Sequence, residues 1–124
     1  MRQDRAGAYQ NMQKAGLSDR EAEAMALMKA AAMLKHCQTN WSAPDRDAQL
    51  DKALRFNQRL WSFFQAALVD PENPLPQAIR ENILSLSAFI DKKTLHLMAH
   101  PSAEQLDILI NINTNIAAGL KGQA

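Results

Sequence analysis

From residue 50 to residue 68 the apolar side chains Leu50, Leu54, Trp61, Phe64 and Leu68 fall on one helical face, and the segment DPENPLP, residues 70–76, then stops the pattern with three prolines in seven positions. Apolar residues spaced three and four apart build a helix with one core-facing stripe. Proline lacks the backbone N–H and clashes with the preceding turn, so the helix cannot run through residues 70–76, and a stiff, extended connector is expected there. The chain must therefore bury its stripes by folding separate helices against one another.

The other helices carry their own start and stop signals. Ser18 and Glu21 form a capping-box pair, and the alanine-, methionine- and leucine-rich stretch that follows lacks β-branched residues, which predicts a helix over 18–38. Ser42, Pro44 and Asp45 mark the start of the next, over 43–69, because proline is harmless in a first turn and an acid there suits the dipole. Ile79, Ile83, Leu86, Ile90 and Leu97 trace a helix over 76–99 that stops before Pro101. Ser102 and Gln105 form a second capping-box pair, opening a helix over 102–120 that Gly119 and Gly122 help to end. Within it, Ile110, Ile112 and Ile116 alternate with Asn111, Asn113 and Asn115 at the period of a strand, but the wider window fits a helix and a lone strand would have no pairing partner. Residues 1–16 are expected to form a separate N-terminal segment with a short helix around Ala8, Tyr9 and Met12. The expected fold is all-α: a single domain over 1–124, a small bundle of four main helices plus a short N-terminal helix. Four glycines and one tyrosine in the chain are poor provision for a β-sandwich, with its many tight turns and aromatic pairs.

A formal net charge of +1 argues against direct nucleic-acid binding as the main activity, since such domains carry a clear basic excess. Cys37 is the only cysteine, which excludes an intramolecular disulfide and a multi-thiolate metal site. The sequence shows no secretory h-region and no apolar run near the roughly 18 residues that span a bilayer, so a cytoplasmic protein without a membrane partner is expected. His96 and His100 share a helix face but lack further ligands nearby, and adjacent His36 and Cys37 diverge by about 100° on a helix, too far to act as base and nucleophile. Phosphate loops, nucleophile elbows and convergent carboxylates are missing from the sequence, so no catalytic residue, metal ligand or cofactor is expected, and the chain reads as a non-enzyme.

Three groups of side chains suggest binding. Met25, Met28 and Met33 on one helix offer polarisable, adaptable surface for an apolar partner, or else fill the core. Arg46, Lys52, Arg55 and Arg59 could meet RNA phosphates, although Asp45, Asp47 and Asp51 interleave with them and Asp51 to Arg55 has the spacing of a helical ion pair. Asn57 and Asn113 interrupt otherwise apolar faces. A buried amide left unbonded costs about 1–3 kcal/mol, so the two are expected to fix helix register or to bind exposed backbone across the bundle.

Three longer blocks, LDKALRFNQRLWSFF at Leu50 to Phe64, LPQAIRENILSLSAFIDKKT at Leu75 to Thr94 and LDILININTNIAAGL at Leu106 to Leu120, in this order and spacing resemble the flagellar biosynthesis regulator FlaF family of alphaproteobacteria. AYQ at Ala8 to Gln10 and the alanine-rich helix after it resemble that family's start. Asn57, Trp61, Arg80 and Asn113 are among the positions that match its pattern, as fold or binding residues. The resemblance implies a small cytoplasmic protein that binds flagellin as a secretion chaperone and supports its synthesis and export, with the regulator FlbT as a further partner. An alternative is direct translational control of flagellin messenger RNA together with FlbT.

Overall fold

The computed structural model describes residues 19–122, in which four α-helices follow one another with no strand among the described residues. They are α1 (Asp19–Thr39), α2 (Arg46–Leu68), α3 (Gln77–Ala99) and α4 (Leu106–Leu120). The short helix expected within residues 1–16 and the Ser18 cap lie outside the described residues. Residues 106–120 are helical throughout, so the alternating Ile/Asn run is helix and not strand.

α1 is the central helix. Its main neighbours are α4 and α2, while α3 packs chiefly on α2. The reason lies in α1's side chains: Ala22, Ala24, Ala30 and Ala31 are buried beside Leu27, Leu34 and Cys37, and small alanines let neighbouring backbones approach closely. The core is completed by Leu54, Trp61 and Phe64 from α2, Ile90 and Leu97 from α3, and Leu106 and Leu109 from α4. Trp61 and Phe64 meet edge to face, with ring centroids 5.6 Å apart.

Two helix starts and the place of one glycine differ from the sequence reading. α2 begins at Arg46 with Asp45 at its N-cap, and neither Ser42 nor Asp45 makes a side-chain capping bond; the residues before it form a chain of turns in which Ala43 N–H donates to Asn40 O and Arg46 N–H to Ala43 O. α4 begins at Leu106, four residues late. The Ser102–Gln105 box is half made: Gln105 N–H donates to Ser102 Oγ at 3.3 Å, but the Gln105 side chain accepts from Lys93 Nζ instead, at 2.8 Å. Three-residue hydrogen bonds from Leu106 to Ala103 and from Asp107 to Glu104 make this entry a tight turn. Gly119 lies inside α4 with open space at its Cβ position, and Gly122, at φ +76°, ends the helix by donating its N–H to Gly119 O.

The connector after α2 is folded, not extended. Asn73 N–H donates to Asp70 O, the carboxylate of Asp70 accepts from Glu72 N–H, Asn73 Oδ1 accepts from Leu75 N–H, and Asn73 Nδ2 donates back to Ala67 O. Asp and Asn side chains thus satisfy backbone groups that the prolines leave without a helical ladder. Pro76, at φ −56° and ψ 146°, keeps the expected extended geometry.

Candidate partner-binding surfaces

Asn57 and Asn113 are both fully buried, and they bond to each other. Trp61 Nε1–H donates to Asn113 Oδ1 at 2.9 Å, and Asn113 Nδ2 donates to Asn57 Oδ1 at 2.6 Å. The indole nitrogen can only donate, so Asn113 must accept with its oxygen and donate with its nitrogen, which in turn orients Asn57. The relay runs from α2 to α4 and back, side chain to side chain and not to exposed backbone. Its end is incomplete: Asn57 Nδ2 is buried without a partner. Both asparagines and Trp61 are therefore structural, and they hold α4 in one register against α2.

Two further glutamines tie helices together. Gln38 Nε2 on α1 donates to Ala103 O at 2.8 Å and to Asp107 Oδ1 at 2.7 Å, which docks the entry turn of α4. Gln65 on α2 donates to Asp91 Oδ2 at 2.9 Å and contacts the buried Ser87 hydroxyl, both on α3. Neither glutamine stands out in the sequence, because a polar residue at the edge of an apolar stripe looks like any solvated one.

The methionines divide. Met25 and Met28 are exposed on α1, at 47% and 39%, whereas Met33 is half-buried and packs on the core. Near them Lys29 Nζ sits 5.2 Å from the centre of the Phe56 ring, a cation–π contact that fixes one border of the exposed face. The basic residues of α2 divide as well. Lys52, Arg55 and Arg59 are exposed and lie within about 60° of one another on the helix. Arg55 is held by Asp51 at 3.0 Å. Arg46 lies on another side of the helix, with its guanidinium 4.2 Å from the centre of the Trp41 ring and its Nε bonded to Asp47 at 2.8 Å. The four cations do not form one surface.

Arg80 stands in the first turn of α3, half-buried, and its Nη1 reaches back to Asp70 O at 3.3 Å while its buried Nε has no partner. It braces the connector against α3. His96 and His100 stack with ring centroids 5.1 Å apart. No group of three or more His, Cys, Asp or Glu side chains that could hold a metal ion occurs among the described residues. A pocket of about 170 Å³ opens at the turn between α1 and α2, lined in part by His36, Cys37, Asn40 and Arg46. Burial, with a smaller contribution from the Asp45 carboxylate, pushes the Cys37 thiol above its ordinary value of 9.0, which keeps it protonated and unreactive at neutral pH.

α3 carries exposed apolar side chains, some of which trace the helix in the sequence and others of which the sequence does not single out. Ile79, Phe89 and Leu95 are exposed at 45%, 41% and 60%, and Leu86 is half-buried. The four buried residues of α3 all lie between Ser87 and Leu97, none of them in its first ten residues. No described helix is long and apolar enough to cross a membrane.

Neither the curated proteins nor the solved structures include a match to this sequence. The family model of the flagellar protein FlaF matches residues 5–120, nearly the whole chain and all four helices with the paired asparagines between them. The chain belongs to the FlaF family of flagellar proteins.

Proposed function

We propose that this FlaF-family protein is a cytoplasmic flagellin-binding secretion chaperone that supports flagellin synthesis and export, acting by binding and not by catalysis, with FlbT as a second partner. The observation that carries the reading is that the bundle closes its core around Trp61 and Leu27 yet leaves large apolar side chains exposed on the outer faces of two helices, Met25 and Met28 on α1 and Ile79, Phe89 and Leu95 on α3. Such faces suit an amphipathic helix of a partner. A micromolar complex needs about 8 kcal/mol, within reach of a few well-placed anchors.

A second reading, contact with flagellin messenger RNA, draws support from Lys52, Arg55 and Arg59 on one exposed face of α2. Titrating the purified protein with monomeric flagellin, and separately with flagellin messenger RNA at rising salt, discriminates the two. Micromolar flagellin binding without salt-sensitive RNA binding is the expected result. RNA binding that weakens steeply with salt, without flagellin capture, reverses the assignment.

A further inference from the structure

The outer edge of α3 carries Ile79, Leu86, Phe89, Lys93, His96 and His100, spaced so that they line up along one side of the helix. The stripe runs for about 30 Å at 1.5 Å per residue. Its first half is mainly apolar, with Ile79 and Phe89 exposed, Leu86 half-buried and the exposed Asn82 between them. Its second half is polar and basic: Lys93 is half-buried and donates to Gln105, while His96 and His100 are exposed. None of the three has a carboxylate partner among the described residues. The helix dipole favours lysine and histidine side chains in the last turns, but does not account for the apolar half. α3 rests chiefly on α2, so this edge has no extensive helical neighbour in the described bundle.

We infer that this edge of α3 is the docking line for an amphipathic helix of a partner protein whose apolar stripe ends in carboxylates, the apolar part lying along Ile79, Leu86 and Phe89 and the acidic end meeting Lys93, His96 and His100. The inference deepens the proposed capture of flagellin and rests on it. Charge complementarity selects the occupant. A second copy of the chain fits poorly: an antiparallel pair sets the apolar half of each stripe against the basic half of the other, and a parallel pair sets basic against basic. The chain's own residues 1–18 hold Arg2, Arg5 and Lys14 against Asp4 alone, so their charge does not complement the basic end either. The methionine pair on α1 is a shorter patch, two side chains one turn apart beside Lys29.

The test titrates the full chain with purified monomeric flagellin, comparing wild type with Phe89→Glu, Lys93→Glu and Met28→Glu, and records the thermal midpoint of each. Phe89→Glu is expected to weaken binding at least tenfold with an unchanged midpoint. Lys93→Glu should weaken it about fivefold at low salt, and less at high salt, where the charge is screened. Met28→Glu, on the other exposed apolar face, should weaken binding less than Phe89→Glu; the reverse order places the site on α1 and overturns the α3 assignment. Wild-type flagellin binding that Phe89→Glu leaves intact overturns the α3 site and spares the chaperone reading. Absence of flagellin binding by wild type removes the chaperone reading, and the α3 site with it. A lowered midpoint for Phe89→Glu shows that the stripe is already covered in the free protein, which also overturns the proposal.

Discussion

α1 and α3 are close in length, 21 and 23 residues, yet α1 buries seven positions and α3 only four. Composition does not explain this, because α3 is the richer in large apolar side chains: Ile79, Ile83, Leu84, Leu86, Phe89, Ile90, Leu95 and Leu97 against Leu27 and Leu34 beside three methionines. The difference lies in neighbours. α1 is packed between α2 and α4 and uses alanines to close on them, whereas α3 leans chiefly on α2. A helix with one main neighbour can bury only a narrow stripe however apolar it is.

The comparison can be broken by measurement. Leu34→Ala on α1 leaves a cavity with packed walls on two sides, and a loss of about 4 kcal/mol is expected in chemical denaturation. Ile90→Ala on α3 removes a fully buried side chain too, but the site can relax toward the open edge, and about 2 kcal/mol is expected. Equal losses would mean that α3 is held as tightly as α1.

The polar tie on the closed side of the bundle comes next. Asn113→Leu strands the Trp61 N–H and the Asn57 amide in the core, and about 2–3 kcal/mol should be lost. The double variant Asn57→Leu with Asn113→Leu leaves only the Trp61 N–H without a partner and also removes the orphaned Asn57 Nδ2. Its loss should fall well short of the sum of the two single losses, read as a coupling in a double-mutant cycle.

Cys37, at the buried end of α1, gives a smaller, pH-dependent effect. Its thiol titrates above 9.0 in the folded chain because burial, and then Asp45, disfavour the thiolate. On raising the pH, the unfolded chain loses this proton first and so binds fewer protons than the folded one. Stability should therefore fall from about pH 9 upward, and Cys37→Ala should remove that part of the slope in unfolding curves taken at pH 8 and pH 10. The smallest effect is expected on the outer edge of α3. Phe89→Ser should change stability by less than about 0.5 kcal/mol, the usual size of an exposed substitution.

The helices were legible because the 3.6-residue period and the prolines act locally. The buried asparagines were legible for a related reason, since an amide interrupting an apolar face demands a partner, and Asn57 and Asn113 are each other's. The exposed stripe was not. Ile79, Ile83, Leu86 and Ile90 have the same spacing as a core face, but of these four only Ile90 is fully buried. Periodicity names the face a helix could bury; whether another helix arrives to cover it depends on the packing of the whole chain. The late start of α4 was hidden likewise, because Gln105, read as half of a capping box, bonds Lys93 twelve residues away. The family resemblance added a flagellar role that no period or spacing contains, and the family match over residues 5–120 bears it out at that level.

The folded connector between α2 and α3 has a bearing on speed. Asp70 and Asn73 bond the loop to itself and to Ala67, Arg80 braces it from α3, and three prolines limit the shapes it takes when unfolded. An elbow built this way keeps α3 at a set angle, so a partner helix docking as proposed would meet a preformed surface and little ordering entropy would be lost on contact. Capture can then be fast, with the lifetime of the complex set by how readily the partner lifts off and not by a hinge that must reopen. If the protein carries flagellin as proposed, a rigid shelf releases the cargo more simply than a clamp.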